Sequence, residues 1–261
     1  MREAQIETAG RSNVILTTRD RELLRSLYDH TVMTFSQIAL RHFANVAKPT
    51  IINRLSKLEN AGFISRERIP RMELGRDRNA IGVVFQITRL GILSLRQSAS
   101  GSDLRALPIR IHHHSLNHDL ILVDLRQALE RRFAGARVTN GKLLSLSGKA
   151  EAMPDLVLER PSEKGKVAIE LELSAKCERR YQEIVLRYRM SNEYQKVIYF
   201  LDDSYIERLI TRVIVNRNPH PKATFTTDKF YFADLNEFIT KPETTTIAND
   251  GRAISAAGGD A

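Results

Sequence analysis

Cysteine is nearly absent. Cys177 stands alone, which excludes an intrachain disulfide framework and a thiolate zinc cluster. No apolar stretch approaches the roughly 18 residues of a membrane-spanning helix, and the uninterrupted apolar runs are only a few residues long. The first residues are polar and charged and carry no apolar signal region. There is no internal repeat, no coiled-coil seam, and no strongly amphipathic cationic helix of the kind that lies on anionic membrane. These absences point to a cytoplasmic protein that acts away from membranes.

What is present divides unevenly. A chain of 261 residues can hold a sizeable core and two domains. The net charge is +9, and residues 1–100 hold 16 Lys and Arg against 9 acids, whereas the rest holds 24 against 22. The positive excess therefore sits in the first part, where it would attract a phosphate backbone.

Three helices are expected in that first part. Thr17 or Thr18 can cap the first, whose stripe is Leu23, Leu24, Leu27 and Tyr28. Thr34 and Gln37 have the capping-box spacing for the second, with Ile38, Ala39, Phe43 and, in part, Leu40 inward. Lys48-Pro49 opens the third, with Ile51, Ile52, Leu55 and Leu58 inward and Gly62 ending it. The period then changes to strands at 63–69 and 83–87 around a basic tip, and Thr88 caps a short helix. Residues 15–97 thus read as a winged helix-turn-helix domain that binds double-stranded DNA. Lys48, Thr50, Asn53, Arg54 and Lys57 would face the major groove, and Arg66, Arg68, Arg71, Arg76 and Arg78 would track the backbone or minor groove. A homodimer on a palindromic site is one arrangement open to such a domain.

Residues 97–110 read as a linker. Beyond it come a helix at 116–133, a strand pair or hairpin arm at 137–147, and a strand from Asp155. A strand ending in Glu170 and Glu172, a charged helix at 177–194 and a strand at 196–201 follow. A helix at 204–215, a last strand at 230–232 and a short helix at 235–239 complete the series, and the tail from 241 to 261 is expected to be disordered. Successive strand residues point to opposite faces, so Glu170 and Glu172 share one, and Asp155 on the neighbouring strand can join them. Three converging carboxylates repel unless a cation such as Mg²⁺ or Mn²⁺ holds them.

His112, His113, His114 and His118 precede or open the 116–133 helix. His114 and His118, four apart, would form a metal pair on one face, or one of them could contact a phosphate. With no third or fourth ligand evident, the triplet reads instead as a linker and His118 as a helix-terminal or core histidine. Asp119 or Asp124 could add an acid to the strand site.

The segment from Met153 to Lys176 resembles the core of the PD-(D/E)xK nuclease-like superfamily, with Pro154-Asp155 as the PD and Glu170 as the following acid. It departs from that pattern at Glu172, which stands where a lysine is expected, and Lys176 is the nearest base to replace it. The wider series resembles the replication-relaxation family and, through it, the MOBC-type mobilisation relaxases of plasmids. That series is Leu16-Thr17-Thr18-Arg19-Asp20, Arg54-Leu55, Ala61-Gly62, Ile87-Thr88-Arg89-Leu90-Gly91, His114, Asn117 to Asp119, Pro154-Asp155, Glu170, Glu172 and Tyr188. The resemblance implies an α+β or α/β chain in which a winged helix joins a nuclease-like domain at 111–240, acting on a transfer or replication origin, with other transfer proteins as further partners. Two functions follow from it. One is a metal-dependent relaxase using Asp155, Glu170, Glu172 and Lys176. The other is an inactive DNA-binding regulator that keeps the second domain as a scaffold.

Overall fold

Thr17 and Asp20 start the first helix together. In the computed structural model of the chain, which describes residues 14–69, 82–97, 104, 113–145, 153–161, 163, 165–216, 229–249 and 252–253, the Asp20 backbone N–H donates to Thr17 Oγ1 at 3.3 Å and Thr17 N donates to Asp20 Oδ2 at 2.7 Å. This reciprocal box satisfies donors that a helix start leaves open. Helix α1 (Thr18–His30) then buries Leu23, Leu24 and Leu27. Strand β1 (Met33–Thr34) leads into α2 (Phe35–His42), boxed by Thr34 and Gln37, and α3 (Lys48–Asn60) follows. Gly62, at φ 80°, closes α3: its backbone folds back so that Phe63 N donates to Leu58 O at 3.0 Å, a conformation that suits glycine. Strands β2 (Ile64–Arg68) and β3 (Val83–Ile87) pair antiparallel, β1 pairs with β3 on its other side, and α4 (Arg89–Arg96) follows under the Thr88 cap.

The chain divides into two compact units, Met1–Leu120 and Ile121–Ala261. The division falls inside α5 (Leu116–Arg132), whose Leu116 and Leu120 pack with Val32, Ile69 and Val84.

The second unit is a seven-stranded mixed sheet built on β4 (Arg137–Asn140), β5 (Leu156–Glu159), β6 (Lys166–Glu172), β7 (Tyr194–Leu201), β8 (Phe230–Asp234), β9 (Ala248–Asn249) and β10 (Arg252–Ala253), in the spatial order β10-β9-β8-β7-β6-β5-β4. Strands β6, β7 and β8 run parallel, and the remaining neighbours antiparallel. Helices α6 (Gly141–Ser145), α7 (Glu178–Met190), α8 (Ser204–Asn216) and α9 (Leu235–Thr240) connect them. Alternation along β6 sorts its side chains between two cores. Val167, Ile169 and Leu171 pack with Leu125 and Leu129 of α5 and Phe238 of α9. Ala168 lies on the other face, with Tyr181, Val185 and Tyr188 of α7 and Ile206 and Ile210 of α8. Strand β7, buried on both faces from Val197 to Leu201, is apolar throughout those residues, as a central strand must be.

Several expectations change. In place of the strand pair expected at 137–147, the described residues form one strand, β4, followed directly by helix α6. Chain reversal into α6 occurs at Asn140, whose Oδ1 accepts from Lys142 N at 2.9 Å, and Gly141 N donates to Asp155 O at 2.9 Å. Gly141 is required by crowding, since a Cβ there would lie 1.7 Å from Pro154 O. Leu40 is 75% exposed and Ile52 47% exposed, so neither faces inward. The chain past Lys241 is ordered as far as it is described: Ile247 is fully buried in the sheet core, Arg132 donates to Thr245 O at 3.0 Å, and Ala248 pairs with Phe232 of β8. The tip bearing Arg71, Arg76 and Arg78, most of the 97–110 linker and His112 lie outside the described residues. Among the described residues no helix is long and apolar enough to cross a membrane.

Candidate functional site

The helix α3 exposes a row of polar and basic side chains. Lys48, Thr50, Asn53 and Lys57 are all exposed, as is Ile52 between them. Arg54 differs. Its Nε donates to Asp20 Oδ1 at 2.9 Å, its Nη2 donates to Asp20 Oδ2, and the same Nη2 donates to Ile15 O at 3.0 Å. The guanidinium is thereby bound to Asp20 of α1 and is less exposed than those side chains of α3. Burial alone would raise the Asp20 carboxyl, but hydrogen bonds from Arg54 and Thr17 hold it below its ordinary value. Arg66 on β2 is exposed and lies 3.3 Å from Glu59, and Arg68 is exposed. Asp20, the partner that fixes Arg54, carries in the sequence only the signal of an acid in the first turn of a helix.

The acid-bearing end of β6 is built differently. In the antiparallel register of β5 and β6, Leu156 faces Ile169, so Asp155 stands one step further on, opposite Glu170. Asp155 is half-buried, and its Oδ2 accepts the Leu171 N–H at 2.8 Å. Glu170 is half-buried and accepts the Tyr188 hydroxyl on Oε1. Desolvation, then the charge of Asp155, and further the charge of Glu172 push the Glu170 carboxyl well above the ordinary range against the opposing Tyr188 bond. Burial, reinforced by Glu170, pushes the Tyr188 phenol up as well, so it remains a donor.

Glu172 is 1% exposed and forms an ion pair with Lys176, whose Nζ contacts both carboxylate oxygens. Tyr181 lies beneath this pair, its hydroxyl accepting the Lys176 backbone N–H at 3.1 Å. Lys229 donates to Ser191 O at 2.8 Å and to Tyr188 O, holding the end of α7 that carries Tyr188. Sequence reasoning named Tyr188 only through a resemblance. Tyr181, Tyr199 and Lys229 gave no signal, because their role depends on a helix and two strands meeting.

Among the described residues the histidines gather no metal set. His114 is exposed, and His118 Nδ1 lies 3.8 Å from the buried Asp119, which also accepts Ser115 Oγ at 3.2 Å. Asp124 is half-buried on α5, which packs on the sheet face opposite Glu170. Among the described residues no group of three His, Cys, Asp or Glu side chains is arranged to hold a metal ion. Asp155 and Glu170 are the described carboxylates of this site that could hold a hard divalent cation. They face each other, and each charge opposes the other, a repulsion that a cation relieves. Mg²⁺ is commonly held by one or two carboxylates together with water and substrate phosphate. Glu172 is already neutralised by Lys176.

A family model described as replication-relaxation matches residues 24–196. That span covers the α3 surface and both acid-bearing strands. Searches of curated proteins and of solved structures found no match.

Proposed function

This chain belongs to the replication-relaxation family, which ties it to the replication of plasmids or mobile elements, and on that premise we propose that it binds and nicks origin DNA. In this reading the first unit is a winged helix-turn-helix whose α3 enters the major groove, and the second is a PD-(D/E)xK-type nuclease unit. Lys48, Thr50, Asn53 and Lys57 contact bases and phosphates, with Arg66 and Arg68 on the backbone and Arg71, Arg76 and Arg78 extending that track. Arg54 acts indirectly, by tying α3 to α1 through Asp20.

The observation that supports cleavage most is the pairing of Asp155 with Glu170 at the end of a central sheet, with the Lys176 amine four residues beyond the site where the family pattern sets a lysine. The Leu171 N–H orients Asp155, and the Tyr188 hydroxyl orients Glu170. Lys176, 40% exposed while paired to Glu172, can present its charge to a scissile phosphate. A bound Mg²⁺ or Mn²⁺ would supply an activated water and stabilise charge on the phosphate. Beside the acids Tyr181, Tyr188 and Tyr199 are buried, and no tyrosine is placed by motif as a nucleophile, which favours hydrolysis over a phosphotyrosine link.

A second reading keeps the DNA contacts and drops the cleavage. The closed Glu172–Lys176 pair favours it, because each partner answers the other's charge without a ligand. The two separate in a supercoiled-plasmid relaxation assay on cognate origin DNA with Mg²⁺, Mn²⁺ or EDTA. Metal-dependent nicking lost in Asp155→Ala and Glu170→Ala, with origin binding retained, supports the nuclease. Salt-sensitive binding with no nicking in any metal leaves a DNA-binding regulator.

A further inference from the structure

Tyr181, Tyr188 and Tyr199 all pack into the core on the acid face of the sheet. Two of their hydroxyls are engaged: Tyr188 donates to Glu170, and Tyr181 accepts from Lys176 N. Tyr199 is fully buried, and its hydroxyl has no hydrogen-bond partner among the described residues. It stands on β7 in register with Glu170 on the adjacent parallel strand, so the two side chains share a face. Its ring stacks on Phe232 at 5.8 Å between centroids. The charges of Glu170 and Glu172 and the neighbouring Tyr181 reach it, adding to burial in pushing its phenol up.

A buried hydroxyl without a partner destabilises a fold, and phenylalanine would occupy the same space without that penalty. A tyrosine in such a place is explained if the hydroxyl is used in a state other than this one. The geometry points to Tyr199 as a positioning residue of the acidic site, whose hydroxyl donates to the Glu170 carboxylate when that carboxylate turns to hold a divalent cation. Tyr188 already occupies Oε1, and an ionised carboxylate accepts several donors at once. Two phenols from different elements would then hold Glu170 from both sides, in the way that outer partners commonly fix a metal-binding carboxylate. The inference rests on the cation-site reading of Asp155 and Glu170.

The test uses the full chain and its Tyr199→Phe and Tyr188→Phe variants. Mn²⁺ affinity is measured by titration calorimetry, and thermal unfolding is followed in EDTA. Tyr199→Phe is expected to unfold in EDTA at the wild-type temperature or above it, yet to bind Mn²⁺ about tenfold more weakly. Tyr188→Phe, which removes a bond already made, is expected to fall in both measurements. Wild-type affinity in Tyr199→Phe overturns the assignment while leaving the cation site intact. A lower unfolding temperature in EDTA also overturns it, because the hydroxyl would then serve the fold through a buried water. If the wild-type protein itself binds no Mn²⁺, the cation-site reading fails and the role of Tyr199 fails with it.

Discussion

The outer face of α3 and the acid face of β6 both concentrate charge, and they hold it in opposite ways. Lys48, Asn53 and Lys57 are exposed and remain hydrated. Asp155, Glu170 and Glu172 are drawn into the protein, where each needs a specific donor: Leu171 N–H, Tyr188 hydroxyl and Lys176 amine. Solvated cations suit a ligand that is itself a strip of charge, because counterions are released on contact. Partly buried acids suit a single ion or one reacting phosphate, because their orientation is fixed before the ligand arrives. Asp20 and Arg54 lie between these extremes, a buried acid holding one cation of the exposed helix in place.

That intermediate case offers the sharpest break in the comparison. Asp20→Ala removes the α1 capping box and leaves Arg54, only 25% exposed, without its partner. Breaking such a pair from one side is expected to lower stability by about 2–3 kcal/mol, seen in denaturant unfolding, with DNA affinity falling in parallel. The pair also carries a pH signature. Because the folded Asp20 carboxyl is lower than its unfolded value, its stabilisation is complete above the ordinary carboxylate pKa of about 4 and lost as pH falls through the depressed folded value. Asp20→Asn should flatten the acid limb of stability against pH, and an unchanged limb would remove the pair from this account.

A second break concerns the acid face. Gly141→Ala places a methyl against Pro154 O, just ahead of β5 and next to Asp155. Backbone there must move, and a loss of about 1–3 kcal/mol in unfolding free energy is expected. Nicking, where present, should fall more steeply than origin binding. Equal losses in both would mean that the fold as a whole was disturbed.

The smallest effects belong to the exposed helix. Lys57→Ala should leave thermal unfolding unchanged, weaken DNA binding severalfold, and reduce the salt dependence of binding by about one unit of slope. Lys48→Ala should behave alike, though its Nζ also lies 5.8 Å from the Phe35 ring centre. A drop in stability from either would show that these lysines serve the fold, and the contrast with β6 would disappear.

Local signals in the sequence determined a good deal. Caps at Thr17, Thr34 and Thr88, the Gly62 stop, the stripe of α1 and, apart from Ile52, that of α3 specify elements from neighbours within a few residues, and these elements form as expected. Alternation along Val167–Glu172 was enough to set Glu170 and Glu172 on one face of a strand. Tertiary structure alone decided what those side chains meet. Arg54 reads as a base-contacting residue until α1 brings Asp20 to it, 34 positions away in the chain. Residues 141–145 read as part of a strand pair, and the fold instead makes them helix, with Gly141 pressed against Pro154. Ile247 reads as part of a loose tail until β9 carries it into the sheet core. The Glu170 carboxyl, the Tyr188 and Tyr199 phenols and the Glu172–Lys176 pair come together only because α7 packs on that face of the sheet and β7 pairs beside β6 within it. Sequence periodicity records which way a side chain points, and burial and hydrogen bonding depend on which distant segment arrives opposite it.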